Sequence, residues 1–239
     1  MRKLTVLLAL ISISIANAQN WDKEKVKGNG VQTTITRTTE SYDKISTGDS
    51  FNVELVSGKE GTITIKGDEN IISHVVTEII GNELKVYFEK DRSYNYKQDI
   101  TITIPFEEIS EIWFTGSGNL ITKDVINAKD FDVKMTGSGN CELEINAKKV
   151  DAKFTGSGNL KLSGLTSELE AKTAGSGNLN CIKLTSENAN VAVAGSGSLE
   201  VNCTNNLIAK VAGSGNIQYK GKPKSIDSNV AGSGDISSF

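Results

Sequence analysis

The tripeptide Gly-Ser-Gly occurs seven times, beginning at Gly116, Gly137, Gly156, Gly175, Gly195, Gly213 and Gly232, at intervals of 21, 19, 19, 20, 18 and 19 residues. An apolar residue stands two places before each copy except at Thr173, and another follows two places after, from Leu120 to Ile236. A repeat of this period decides the architecture before local propensities do. Units this short cannot bury an apolar face alone, whereas stacked units enclose one continuous narrow core.

Within a unit the residues alternate with period two. Leu160, Leu162, Leu165, Leu169, Ala171 and Thr173 are expected on one face, and Lys161, Glu168, Glu170 and Lys172 on the other. That is strand patterning, broken by Ser, Gly, Asn and Thr. A hydrophobic fraction of 37% with only 6% aromatics is thin for a compact globule and adequate for an elongated one. The expected fold is therefore all-β, a right-handed parallel β-helix (β-solenoid) over residues 113–239. The right hand follows from the usual sense of parallel β crossovers, and the coil length does not keep the six-residue period of the left-handed type. Residues 41–112 read as a less regular all-β lobe before it, and residues 19–40 as a polar lead-in with a strand near Val31 to Arg37.

Residues 1–18 have the form of a secretory signal peptide, with Arg2 and Lys3, the apolar run Leu4 to Ile15, and Ala16-Asn17-Ala18 before cleavage after Ala18. The run is too short to span a bilayer, which takes roughly 20 apolar residues. No second such run exists, so the mature chain is expected to have no transmembrane segment and to reside in the periplasm, on the outer-membrane surface or outside the cell.

Twenty-six basic and 29 acidic residues nearly cancel, at a net charge of −3, so no basic footprint for nucleic acid exists. Three cysteines in an exported chain raise the question of disulfides. Cys141, Cys181 and Cys203 all fall on the inward parity, and Cys181 and Cys203 are offset by two positions in adjacent coils, so free buried thiols are expected.

Chemistry finds little purchase. Gly-Ser-Gly lacks the following helix and third Gly, or the Lys-Ser/Thr, of a nucleotide-cradling loop. Calcium-binding solenoid turns carry an Asp per repeat, whereas the equivalent positions here hold Asn or Ser apart from Asp235. Neither cofactor nor metal is expected. The single His, His74, rules against multi-His sites, and residues 113–239 contain no Arg or His to act beside clustered carboxylates. A β-helix polysaccharide lyase or hydrolase is thus the alternative to a non-enzymatic interaction module, with a purely structural envelope spacer as a third. A glycan or an envelope protein is the expected kind of partner. The residues best suited to a local contact are Arg92, Tyr94 and Tyr96, in the polar stretch Asp91 to Lys97.

The repeat itself presents two ladders. Ser117, Ser138, Ser157, Ser176 and Ser214 belong to one, and Asn119, Asn140, Asn159, Asn178 and Asn216 to the other, with Ser198 and Asp235 replacing Asn in two units. If Gly-Ser-Gly is a bend, its glycines supply positive φ and the Asn amides stack from coil to coil. If the chain runs straight, both glycines face inward and Ser and Asn form an exposed polar strip. The bend is favoured, because two inward glycines per coil would leave voids.

Tyr42-Asp43-Lys44-Ile45 leading into Gly48-Asp49-Ser50-Phe51-Asn52-Val53-Glu54-Leu55, and Ile102-Thr103-Ile104-Pro105 followed by Gly116-Ser117-Gly118-Asn119-Leu120, resemble the head GIN domain family, labelled auto-transporter adhesins and common in Bacteroidota. The resemblance spans roughly residues 41–239. It implies a two-lobed all-β fold with a β-helical C-terminal part and an exported or envelope location, and it carries no catalytic residues.

Overall fold

The computed structural model describes residues 24–239. The expected signal peptide, with its cleavage after Ala18, lies outside the described residues. The first half forms β1 (Glu24–Lys27), β2 (Gln32–Thr38), β3 (Lys44–Thr47), β4 (Asn52–Ser57), β5 (Thr62–Asp68), the short helix α1 (Glu69–Ile72), β6 (Val75–Ile80), β7 (Glu83–Phe88), β8 (Arg92–Asn95) and β9 (Thr101–Phe106). The repeats form β10 (Glu111–Gly116), β11 (Asn119–Thr122), β12 (Ile126–Gly137), β13 (Asn140–Gly156), β14 (Asn159–Gly175) and β15 (Asn178–Gly195). They continue through β16 (Ser198–Gly213), β17 (Asn216–Lys220), β18 (Ser225–Gly232) and β19 (Asp235–Ser238). Seventeen strands belong to one sheet, and β1 pairs separately with β8.

From β10 onward each strand pairs in parallel with its equivalent one coil later. Met135 lies beside Phe154, Phe154 beside Thr173, Thr173 beside Val193, and Val193 beside Val211. These inward rows are buried and make one core running the length of the stack. Leu165, expected inward, is instead 61% exposed, because Gly164 bends the chain at φ 113° and Thr166 takes the buried position. The protein is a β-solenoid of parallel coils. Each fully buried aliphatic side chain contributes about 1.5–3 kcal/mol, so the narrow core suffices without many aromatics.

The stack does not begin at the first Gly-Ser-Gly. β3 pairs in parallel with β10 and β4 with β11, which sets Asn52 beside Asn119 and Val53 beside Leu120. Gly48-Asp49-Ser50-Phe51-Asn52 thereby occupies the place of Thr115-Gly116-Ser117-Gly118-Asn119. Asp49 adopts φ 65° where Gly116 has φ 117°, and its carboxylate holds the bend by accepting the Phe88 N–H at 2.8 Å. On the other side of this coil, Leu84 of β7 lies beside Ile45 and Ile102 of β9 beside Val53. The order of layers is thus 83–106, then 44–57, then 111–122. Residues 41–112 contribute two layers to the same stack. Beyond them β6 runs antiparallel to β7, and β5 antiparallel to β9 and β2, closing this end of the solenoid.

The Gly-Ser-Gly corner combines the two geometries posed as alternatives. The first glycine of every copy has φ between 114° and 140°, so the chain bends there. A Cβ on Gly137 would also land on the carbonyl of Gly116 one coil away. The second glycine faces inward and, from Gly118 through Gly215, is buried. The void expected from it is filled from the preceding coil. The ring of Phe114 packs where a Gly139 side chain would be, Phe154 does so at Gly177, and Val193 at Gly215.

Candidate functional site

The asparagines after the bend are tied together along the stack. Asn140 Nδ2 donates to Asn119 Oδ1 at 2.9 Å, Asn159 to Asn140 at 2.8 Å, and Asn178 to Asn159 at 2.9 Å. Ser198 continues the series through its hydroxyl, which donates to Asn178 Oδ1 at 2.6 Å. Asn216 instead accepts the Asp235 backbone N–H at 3.0 Å. Asn119, Asn140 and Asn178 are exposed, so the bend and an outward polar strip coexist. Each amide keeps one N–H and one lone pair for solvent. The serines are linked by their backbone. Ser138 N–H donates to Gly116 O at 3.0 Å, Ser157 to Gly137 O at 3.1 Å, Ser176 to Gly156 O at 3.0 Å, and Ser214 to Gly195 O at 2.8 Å. Ser117 N–H donates to Asp49 O at 3.2 Å, Asp49 standing where the later coils have the first glycine.

Arg92 and Tyr94 are brought together with His74. Arg92 Nη1 lies 2.7 Å from His74 Nδ1 and donates to Glu89 Oε2 at 3.1 Å, while its Nε pairs with Glu24 at 3.1 Å. Tyr94 stacks on Phe88 with ring centroids 4.1 Å apart. Tyr96 sits on another side of Phe88, centroids 6.4 Å apart, and donates its hydroxyl to Ser50 O at 3.3 Å. Burial pushes both phenols above their ordinary range. The two rings close over Phe88 rather than offering a free platform.

The exposed aromatic that the sequence pattern left unremarked is Trp113, on the outward face of β10 at 47% exposure. Its signal was its place between Ile112 and Phe114, opposite in parity to both. Trp113 begins an outward row that continues through Lys134, Lys153 and Lys172, then Ala192 and Lys210. The row beside it carries Glu111, Asp132, Asp151 and Glu170, then Asn190 and Ile208. The two rows neutralise each other. Lys134 Nζ lies 2.6 Å from Glu111, Lys153 Nζ lies 2.9 Å from Asp151, and Lys172 pairs with Glu170. Hydrogen bonds from Lys134 and Lys44 hold the Glu111 carboxyl below its ordinary range, and the one from Lys172 does so for Glu170. On the opposite flank of the lysine row lies Thr115, Thr136, Thr155, Ala174, Ala194 and Ala212.

All three cysteines are free and buried. Cys181 lies beside Val201, and Cys203 beside Ser186, so the two thiols are out of register between adjacent coils. Burial raises the thiol pKa of Cys141 and pushes that of Cys181 up to about 12. Among the described residues no group of His, Cys, Asp and Glu has the arrangement of a metal centre, and no helix is long and apolar enough to cross a membrane.

Comparison with known proteins places this geometry. Several solved structures share the fold. A protein described as a putative adhesin from Bacteroides fragilis is 24% identical, with a TM-score of 0.85 over 90% of this chain and 100% of that one. One described as a putative lipid binding protein from Parabacteroides distasonis is 27% identical, with a TM-score of 0.76 over 90% of this chain and 100% of that one. A third, a putative adhesin from Parabacteroides merdae, is 20% identical, with a TM-score of 0.74 over 90% of this chain and 99% of that one. No curated protein matches the sequence. The family model described as "Putative auto-transporter adhesin, head GIN domain" matches residues 41–223, and the chain belongs to that family.

Proposed function

We propose that this protein is a non-catalytic adhesion module, exported to the cell envelope, that holds a glycan against the outward face of β10, β12 and β13. The observation that carries this reading is Trp113, an indole 47% exposed on a face of fixed spacing. An exposed aromatic offers an apolar platform to the face of a sugar ring, with its N–H free to hydrogen-bond. Beside it the exposed hydroxyls of Thr136 and Thr155 follow one another at the strand spacing of about 4.8 Å. A ligand of repeating chemistry matches a surface of repeating chemistry. The half-buried carboxylates Glu111, Asp151 and Glu170 of this face are each tied to a lysine, an arrangement that neutralises them and does not suit them to general acid–base work. Membership of a family described as adhesins supports the same reading and an envelope location.

The test is a glycan binding screen with the mature protein, read together with product release. Saturable binding without turnover, weakened at least several-fold by Trp113→Ala, is the expected result. Cleaved product would establish the β-helix enzyme instead. Binding indifferent to Trp113→Ala would move the contact elsewhere, and no binding at all would favour the structural spacer.

A further inference from the structure

Further along the same face the chemistry changes. Where the threonines give way to alanines, an open trough of about 540 Å³ runs along the solenoid axis. Its floor includes Ala174, Ala194, Ala212 and Ala231, and Lys153, Lys172 and Lys210 stand along one side. The volume falls within the range of small-molecule sites. Two features mark it. Lys153 and Lys172 each pair with the carboxylate two residues earlier in the same strand. Lys210 has Ile208 at that position, and among the described residues it forms no ion pair. Secondly, Thr173 in the trough's lining is only 3% exposed, and its hydroxyl has no hydrogen-bond partner among the described residues.

We infer that this trough binds a single long-chain fatty-acid anion, with its carboxylate at Lys210 and its chain lying along the alanine floor. The floor decides the chemical class. Alanine methyls offer no hydrogen bonds, and the backbone beneath them is already committed to the parallel ladder. Polar groups of a peptide or a glycan turned onto this floor would be left unpaired at about 1–3 kcal/mol each, whereas an acyl chain leaves none. Length agrees as well. From the Lys210 rung to the Lys153 rung are three strand spacings, roughly 14 Å, with Lys153, Lys172, Ala192 and Lys210 in turn along one side. The exposed Ile208 beside Lys210 extends the apolar surface at the head end. The uncompensated ammonium then meets the one charged group that an otherwise apolar ligand carries.

The experiment is calorimetric titration of the purified protein with sodium laurate, kept below its micelle-forming concentration, and with uncharged dodecanol in parallel. One saturable laurate site is expected, with dodecanol weaker. Lys210→Gln should weaken laurate about tenfold, as loss of a charge-assisted hydrogen bond implies. Ala194→Leu, or Ala212→Leu should the first fail to fold, fills the floor and should abolish binding, while Lys161→Gln outside the trough should leave it unchanged. Absence of a saturable site, wild-type affinity in both the Lys210 and the floor variants, or binding only to laurate-containing vesicles would overturn the inference. Trp113 lies outside the trough, so failure with laurate is distinguishable from failure of the glycan reading.

Discussion

Asn119 Nδ2 donates to Asn52 Oδ1 at 2.8 Å, although 67 residues separate them in the chain. The amide ladder of the repeats therefore starts in a coil that contains no Gly-Ser-Gly. From Asn52 it passes through Asn119, Asn140, Asn159 and Asn178 to Ser198. Its members are not equivalent. An inner rung has a neighbour on each side, while Asn52 serves only as the terminal acceptor.

Asn159→Ala removes two of these bonds at once, the donation to Asn140 and the acceptance from Asn178. Because the strip is solvent-facing, water takes over part of what is lost. The expected cost is about 1 kcal/mol, within the net range of ordinary hydrogen bonds. Asn52→Ala removes one bond and should cost about half as much. Urea midpoints of the two variants measure the difference. A change within roughly 0.5 kcal/mol at Asn159, as neutral surface substitutions give, would show that the ladder is not a scaffold element.

Glycines with the same sign of φ should respond differently to a methyl group. Gly81 has φ 66° and open space around its absent side chain, so Gly81→Ala meets only left-handed strain, about 1–2 kcal/mol. Gly156 has φ 140°, and a Cβ there would strike the carbonyl of Gly137 in the adjacent coil. Gly156→Ala must separate two coils and should cost well over the Gly81 change, or prevent folding. Equal destabilisation, measured by denaturant unfolding, would mean that the coils are not in close apposition at the corner.

The repeat half was legible because each unit restates the same instructions, an inward apolar row, a glycine bend and an asparagine. The coil at 44–57 was not, because Asp49 stands where the others have glycine and Phe51 where they have the second one. Asp can occupy left-handed backbone when its side chain finds a local partner, here the Phe88 N–H, and no glycine count detects that. Phe51 is completely buried and meets Phe88 at 4.7 Å, so its own ring fills a corner that elsewhere holds glycine and a side chain of the preceding coil. Layer order was hidden for another reason. The 83–106 layer precedes the 44–57 layer in space and follows it in sequence, and periodicity carries no information about a permuted order. Trp113 is not legible as a site in the sequence, because a single outward ring takes its significance from rows formed by other coils.

The buried thiols make stability depend on pH in the alkaline range. Desolvation raises the Cys141 pKa and takes Cys181 to about 12, above the ordinary thiol value near 8.5 that applies once the chain is unfolded. Below that unfolded value both states hold the proton and the contribution is complete. As pH rises past it, only the unfolded chain loses protons, so unfolding becomes more favourable until the folded pKa is reached. Stability should therefore be level to about pH 8 and decline toward pH 12, and Cys141→Ala/Cys181→Ala should flatten the decline while lowering stability at pH 7. Native thiols should also resist labelling at pH 8. Rapid modification without denaturant would contradict burial of all three.

Protection against hydrogen exchange should fall along the stack. β13, β14 and β15 are each flanked by a coil on both sides. In β18 every residue is exposed, with Ile226 at 45% and Val230 at 43%. Local opening requires little loss of buried contact there, so amides of residues 225–238 should exchange first and those of β13–β15 last. Uniform protection would point to a partner or further structure covering the final coil.

Thr173 interrupts the inward row between Phe154 and Val193, and its buried hydroxyl finds no hydrogen-bond partner among the described residues. A buried unpaired hydroxyl costs about 1–3 kcal/mol relative to water, and valine has nearly the same shape without it. Thr173→Val should therefore raise stability by about 1 kcal/mol, since part of the desolvation cost is recovered and the packing volume hardly changes. Thr173→Ala separates the two contributions. It also removes the hydroxyl but leaves space between Phe154 and Val193, so it should be less stable than the valine variant. Denaturant unfolding of the three proteins gives the order valine, threonine, alanine from most to least stable. A valine variant weaker than the parent would mean that the hydroxyl is satisfied in solution, by water reaching it from the trough.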